Sequence, residues 1–197
     1  MKLIIASANA HKVAEITELI PRSSELNILS LKDVYSPVPD IPETGSTFEE
    51  NSLQKAEWVR RREHCWVLAD DSGLEVDALS LRPGIYSARY AGIPCDDKKN
   101  NRKLLEEMAG VPAERRTARY RAVITLLSPE KTPFIYTGVC EGRIQSRPTG
   151  AGGFGYDPLF IPRGYTQSFG ELAPEIKQKI SHRSMALEKL RKNFPLG

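Results

Sequence analysis

The sequence is as informative in what it lacks as in what it contains. Its three cysteines, Cys65, Cys95 and Cys140, are odd in number, far apart and in no C-x-x-C pair. That argues against a disulfide framework or a zinc site and for a reducing cytoplasm. No apolar run approaches the about eighteen residues a membrane span requires. The opening M-K-L-I-I-A-S-A-N turns polar too soon for a signal peptide, so a soluble protein without a membrane partner is expected. Neither sign of charge dominates: 28 basic against 25 acidic residues leave +3. This balance suits a small anionic ligand and is far weaker than the footprint of a nucleic-acid binder. A Walker-type G-K-[ST] is missing, which excludes a P-loop. Internal repeats and low-complexity tracts are absent, and the loop from Pro37 to Pro42 is too short to link domains. With 197 residues, 40% hydrophobic and 27% charged, the chain reads as a single domain over residues 1–197, built as one body or as two closely joined lobes.

Against that background the stretch A-D-D-S-G-L-E-V-D-A-L, residues 69–79, stands out. Asp70 and Asp71 follow the apolar run Trp66, Val67, Leu68, which places them at the mouth of a buried strand, with Ser72 and Gly73 turning the chain after them. Successive strand side chains point to opposite faces, so only one of the two aspartates can serve a given cleft. A carboxylate at the end of a strand in an α/β sheet is placed to hold Mg²⁺ and to take a proton from water. The plainer alternative is a polar turn, which Asp, Ser and Gly also favour.

Lys2 to Ala6 reads as a first strand. A polar turn, Ser7, Ala8, Asn9, Ala10, His11 and Lys12, leads into a helix through Val13, Ile16, Leu19 and Ile20. A strand, turn and helix in this order aim helix-start N–H groups at an anion above the sheet. Lys12 lies where the helix dipole disfavours a cation, so it needs another reason to be there. Asn27 to Leu31 gives a second strand. Thr47 with Glu50 forms a capping box for a helix to about Arg62, on which Asn51 and Lys55 share a face that could look into a cleft, although most polar pairs of this kind meet water. Asp96 to Met108 reads as a further helix.

Thr117 to Leu127 reads as a long strand with Ala118, Tyr120, Ala122, Ile124 and Leu126 on one face. Arg119 and Arg121 alternate onto the other, solvated or ion-paired. Phe134 to Cys140 and Gly142 to Gln145 are predicted as two strands joined by a turn, and Leu159 to Ile161 as one more. The glycine-rich run Thr149 to Pro158 lets backbone approach a ligand, and Phe154 and Tyr156 offer faces for a base. Ser181 is a good N-cap for a last helix, whose first turn carries His182 and Arg183, cations again in a disfavoured place that point to anion or carbonyl recognition.

Taken together, S-A-N-A-H-K, E-T-G-S-T-F-E-E-N, A-D-D-S-G-L-E-V-D-A-L, P-G-I-Y-S-A-R-Y, G-G-F-G-Y-D-P and I-S-H-R, in this order from end to end, resemble the inosine triphosphate pyrophosphatase family. The resemblance implies an elongated α/β fold with a mixed central sheet flanked by helices, two lobes with a cleft between them, and a homodimer. It also implies Mg²⁺-dependent hydrolysis of ITP, dITP and XTP to the monophosphate and pyrophosphate. By motif, Ser7 to Lys12 would hold the triphosphate, and Asp71 would be the metal-bound general base with Ser72 beside it. Phe154, Gly155, Tyr156, Asp157, Lys177, His182 and Arg183 would form the base and phosphate pocket. Two positions depart from the family pattern. His11 stands where relatives commonly have glycine, and Pro42 where they commonly have a metal-binding acid, so Glu43 is the expected second metal ligand. As donors, His182 and Arg183 would bond the 6-keto group of hypoxanthine or xanthine and oppose the amino group of adenine. The alternatives are a phosphohydrolase of different nucleotide specificity and a nucleotide-binding regulator without turnover.

Overall fold

The computed structural model describes residues 1–20 and 24–193. In chain order its elements are β1 (Lys2–Ile5), α1 (Ala10–Leu19), β2 (Asn27–Ser30), α2 (Leu31–Val34), α3 (Phe48–Glu63), β3 (Trp66–Val76), α4 (Asp97–Glu107), β4 (Thr117–Leu127), β5 (Pro133–Ile144), β6 (Phe160–Pro162), α5 (Pro174–Ile180) and α6 (His182–Lys192). The six strands form one mixed sheet in the order β2-β1-β3-β4-β5-β6. β1 runs parallel to both β2 and β3, and β6 is antiparallel to β5. Among the described residues no helix is long and apolar enough to cross a membrane.

The chain divides into two compact units, one of Met1–Asp71, Ala122–Gly138 and Arg183–Gly197, the other of Ser72–Arg121 and Val139–His182. In the first unit, β1 reads as an unbroken apolar run because both of its faces are covered. Leu3 and Ile5 pack with Ile16 of α1 and Ala186, Leu187 and Leu190 of α6, while Ile4 packs with Leu31 of α2 and Ala56 and Val59 of α3. The second unit gathers Leu74 and Val76 of β3, Ala118 and Tyr120 of β4, and Phe160 of β6 around Leu104 and Met108. On the opposite face of β4, Arg119 pairs with Asp77 at 2.8 Å and with Glu141 and Glu75, the ion-paired sheet face its alternation predicts.

Three expectations are corrected. D-D-S-G is not a turn: β3 runs unbroken from Trp66 to Val76, because both carboxylates find cationic partners inside the fold and the chain has no need to bend into water. Phe134 to Cys140 and Gly142 to Gln145 are one strand, β5. Gly142 faces Pro162 of β6, and a Cβ there would lie 2.3 Å from the Ile161 carbonyl oxygen and 2.6 Å from the Phe160 ring, so the glycine permits close approach and marks no turn. Pro174–Ile180 form α5, which starts at Pro174 as proline at a first helical position allows. The capping box is half formed: the Thr47 hydroxyl accepts the Glu50 N–H at 3.1 Å, but the Glu50 carboxylate takes the N–H and hydroxyl of Ser46.

Gly142→Ala is expected to destabilise the protein by about 1–3 kcal/mol through overpacking against backbone that cannot retreat. Urea unfolding checks this, and an unchanged midpoint would place slack between β5 and β6.

Candidate active site

The pleat of β3 sorts its two acids. Leu68 lies on the face covered by α1 and α6, Val67 and Ala69 on the face covered by α2 and α3. By the same alternation Asp70 points to the first face and Asp71 to the second. Both are buried, at 1% and 5% exposure.

Asp70 is the hub of an ion network. Its Oδ2 lies 2.7 Å from Lys12 Nζ, and Arg183 donates through Nε and Nη2 at 3.3 and 3.4 Å. Arg183, itself 2% exposed, also pairs through Nη1 with Glu15. Burial alone would push the Asp70 carboxyl up, but Arg183 and Lys12 outweigh it and hold the group far below the ordinary carboxylate range. The network explains two cations that local helix electrostatics disfavour. Lys12 in the first turn of α1 and Arg183 in that of α6 both answer Asp70. Arg183, expected to face a base carbonyl, is turned inward by these partners.

Asp71 sits in different surroundings. Its Oδ1 accepts from Lys55 Nζ at 3.0 Å, and the same ammonium lies 2.6 Å from Glu43 Oε1. Its Oδ2 is buried and has no hydrogen-bond partner among the described residues. Burial raises the Asp71 pKa, and the opposing pull of Lys55 and Lys12 does not cancel it. Glu43 is presented by a pinned loop. The N–H groups of Thr44, Gly45 and Ser46 are accepted in turn by Gln54, Asn51 and Glu50 of α3, at 3.0, 2.8 and 2.6 Å. Of the two places open to the Asn51 and Lys55 face, water and a cleft, water is excluded, and both side chains are buried. One signal was legible: their face continues through the apolar Val59.

The loop before α1 is capped from within. Asn9 accepts the N–H groups of His11 and Lys12 at 3.0 and 3.2 Å, and its own N–H donates to the Ser7 hydroxyl. Two of the helix-start donors expected to meet an anion are thus engaged by Asn9. Ala8, Ala10 and His11 are exposed, Ser7 and Lys12 half-buried. Ser72 follows Asp71 on β3, also half-buried.

In the second unit, Asp157 organises the glycine-rich loop. Its Oδ2 accepts from the Phe154 N–H at 2.9 Å and from Lys177 Nζ at 2.7 Å, and its Oδ1 takes the Tyr120 hydroxyl at 3.3 Å. The Lys177 ammonium lies 4.4 Å from the centre of the Phe154 ring. Gly153 must be glycine, with φ +71° and an ideal Cβ 2.0 Å from the Asp157 carboxylate. His182 stacks on Tyr120 with ring centroids 4.7 Å apart and planes within 10°, a contact the sequence did not indicate. Of the two aromatics expected to meet a base, Phe154 is half-buried, with the Lys177 ammonium over its ring. Tyr156 is 3% exposed and donates its hydroxyl to the Ser87 carbonyl at 2.8 Å.

Chemically, the first unit offers a buried carboxylate with one unengaged oxygen, a second carboxylate beside it and two lysines. The second offers an aromatic face, a histidine and a lysine.

Asp70→Asn is expected to destabilise the fold by about 3–5 kcal/mol, the cost of leaving buried cations short of their partner. Because its folded pKa is depressed, Asp70 contributes stability that is complete above the unfolded value of about 3.9 and drains as pH falls toward the folded one. The variant should therefore show a flatter acid limb in melting temperature against pH. An equally steep limb would show that Asp70 is not the group lost on acidification.

A sequence model of the Ham1 family matches residues 3–193. The chain is 47% identical over 191 residues to the dITP/XTP pyrophosphatase of Oceanobacillus iheyensis, covering 97% of this chain and 96% of that one. To the dITP/XTP pyrophosphatase of Leuconostoc mesenteroides it is 46% identical, with 100% and 98% covered. Among solved structures, a HAM1 protein from Coxiella burnetii superposes with a TM-score of 0.90 at 39% identity over the whole of both chains. The Staphylococcus aureus Ham1 protein gives 0.88 at 36%, with 98% of each chain covered. With a match that runs through both units and every element that carries the residues described above, the chain belongs to the Ham1 family.

Proposed function

We propose that this protein hydrolyses deaminated purine nucleoside triphosphates, ITP, dITP and XTP, to the monophosphate and pyrophosphate, with Mg²⁺ as cofactor. The names of its relatives support the substrate class. The observation that carries the chemistry is Asp71, buried, raised in pKa and left with one oxygen unengaged.

The donor set suits Mg²⁺. Asp71 and Glu43 reach the same lysine ammonium, so one small cation can serve both. This ion takes one or two carboxylates and draws its other ligands from phosphates and water. Asp71 and Glu43 would hold it, Glu43 standing in for an acid at Pro42. When bound, the ion neutralises charge on the phosphates.

Hydrolysis requires a water oxygen to bond to the α-phosphorus while the bond from that phosphorus to the bridging oxygen of the pyrophosphate breaks. The water must also lose a proton as it attacks. Asp71 accepts that proton. Lys12, fixed by Asp70, and the Ser7 to His11 loop hold the triphosphate, with Ser72 next to the base. Arg183 acts through Asp70 as a positioning residue. Phe154 gives the purine a face, and Lys177, tied to Asp157, adds positive charge beside it. His182, its ring set by Tyr120, donates to the 6-keto oxygen. Adenine would bring donor against donor, and a lost buried hydrogen bond discriminates strongly. In this reading the enzyme works on the nucleotide pool of the cytoplasm, as a homodimer, and not on nucleic acid.

A panel of nucleoside triphosphates assayed for pyrophosphate and phosphate separately tests the proposal. The expected result is Mg²⁺-dependent pyrophosphate release from ITP, dITP and XTP at least tenfold faster than from ATP. Asp71→Asn should lose about 10²–10⁴ in kcat, the usual contribution of a general base, and still bind IMP. Phosphate as the product, equal rates on ATP and ITP, or no turnover would each overturn it.

A further inference from the structure

One helix outside both sets of residues grips the glycine-rich loop. Asp97 opens α4 directly after the N-cap Asp96, whose side chain accepts the Lys99 N–H. Asn101 lies four positions on, so the two side chains project from one face of the helix. Both reach the same residue. Asp97 Oδ2 accepts the Gly155 N–H at 2.7 Å, and Asn101 Nδ2 donates to the Gly155 carbonyl at 2.9 Å.

The consequence follows from peptide geometry. The Gly155 N–H belongs to the peptide plane that joins it to Phe154, and its carbonyl to the plane that joins it to Tyr156. Two bonds to one residue therefore fix both planes, and with them the left-handed conformation of Gly155, φ +61°. Space is not the reason for a glycine here, since a Cβ would meet nothing within 4 Å. The Phe154 N–H is held in turn by Asp157. The backbone on both sides of Phe154 is thus anchored, once from inside the loop and once from α4.

Two details favour a positioning task over general stability. Asp97 is exposed and Asn101 and Gly155 only half-buried, so the clamp covers little apolar surface. Asn101 also leaves its Oδ1 buried without a hydrogen-bond partner among the described residues. Such an arrangement costs stability, and the return visible in the structure is the fixed peptide next to Phe154.

We propose that Asp97 and Asn101 are positioning residues that set the Phe154 ring for the purine, so that α4 tunes affinity for the base without touching the substrate. This rests on the reading that Phe154 receives the purine.

Titration calorimetry with IMP as the purine probe, and inorganic triphosphate as a probe of the phosphate-binding residues alone, separates the claims. Asp97→Ala and Asn101→Ala should each weaken IMP binding about fivefold to tenfold, leave triphosphate binding unchanged, and raise the KM for ITP with kcat unaltered. Asp97→Asn, which keeps an acceptor, should restore IMP affinity. Asn101→Asp, which keeps the shape and sets a carboxylate against the Gly155 carbonyl, should not. Phe154→Ala is the control. If it weakens IMP while the Asp97 and Asn101 variants do not, the clamp is refuted and the purine reading stands. If Phe154→Ala leaves IMP affinity intact, the purine reading fails and the clamp falls with it. A parallel loss of triphosphate binding would assign Asp97 and Asn101 to general stability instead.

Discussion

A strand that carries two adjacent carboxylates into a protein interior must answer one on each of its faces, and much of the first unit follows from that requirement. An unpaired buried carboxylate costs several kcal/mol, so β3 can run through Asp70 and Asp71 only if cations wait on both sides. α1 and α6 bring Lys12 and Arg183 to one face, and α3 brings Lys55 to the other. These are the helices whose apolar residues close the two sides of β1. Packing and charge compensation thus impose the same arrangement.

The second unit solves a different problem. A run with glycines at positions 150, 152, 153 and 155 would be expected to wander, yet side chains hold its backbone at Phe154 and Gly155. Asp157 takes the Phe154 N–H, Asp97 and Asn101 take both sides of Gly155, and Tyr156 is sunk into the core with its hydroxyl on Ser87. The glycines supply conformations that other residues resist, and the polar side chains select one of them. Pre-organisation of this kind lowers the cost of ordering a binding surface when a ligand arrives.

What could be read from the sequence divides along a physical line. β1, α1, α4 and β4 lie close to their expected bounds, because their periodicity and end signals are local. The pairing of Asp71 with Lys55 and of Asp70 with Arg183 was not legible, since residues 16 and 113 positions apart meet only through tertiary packing. Lys55 is visible in the sequence on a helix face that could meet a cleft, but lysines on helices usually belong to water, so the pattern alone does not decide. The motifs located the acids, and only the coordinates showed which cation answers which. The supposed turn at D-D-S-G failed for the same reason. Asp, Ser and Gly favour turns when water is the alternative partner, and here the partners are the buried Lys55 and Arg183 and the half-buried Lys12.

The two charge centres on β3 differ in a way that separates structure from chemistry. Asp70, Glu15, Lys12 and Arg183 sum to zero formal charge, and the Asp70 pKa falls far below normal despite complete burial. That centre is electrostatically closed. Asp71 shares Lys55 with Glu43, and its pKa rises, so Lys55 and Lys12 do not repay its burial. Two neighbouring residues of one strand, buried to nearly the same degree, are thus driven in opposite directions by their partners alone. The other retains, among the described residues, a buried carboxylate oxygen without a hydrogen-bond partner and a pKa raised by burial, a combination more common at functional sites than in purely structural ion pairs.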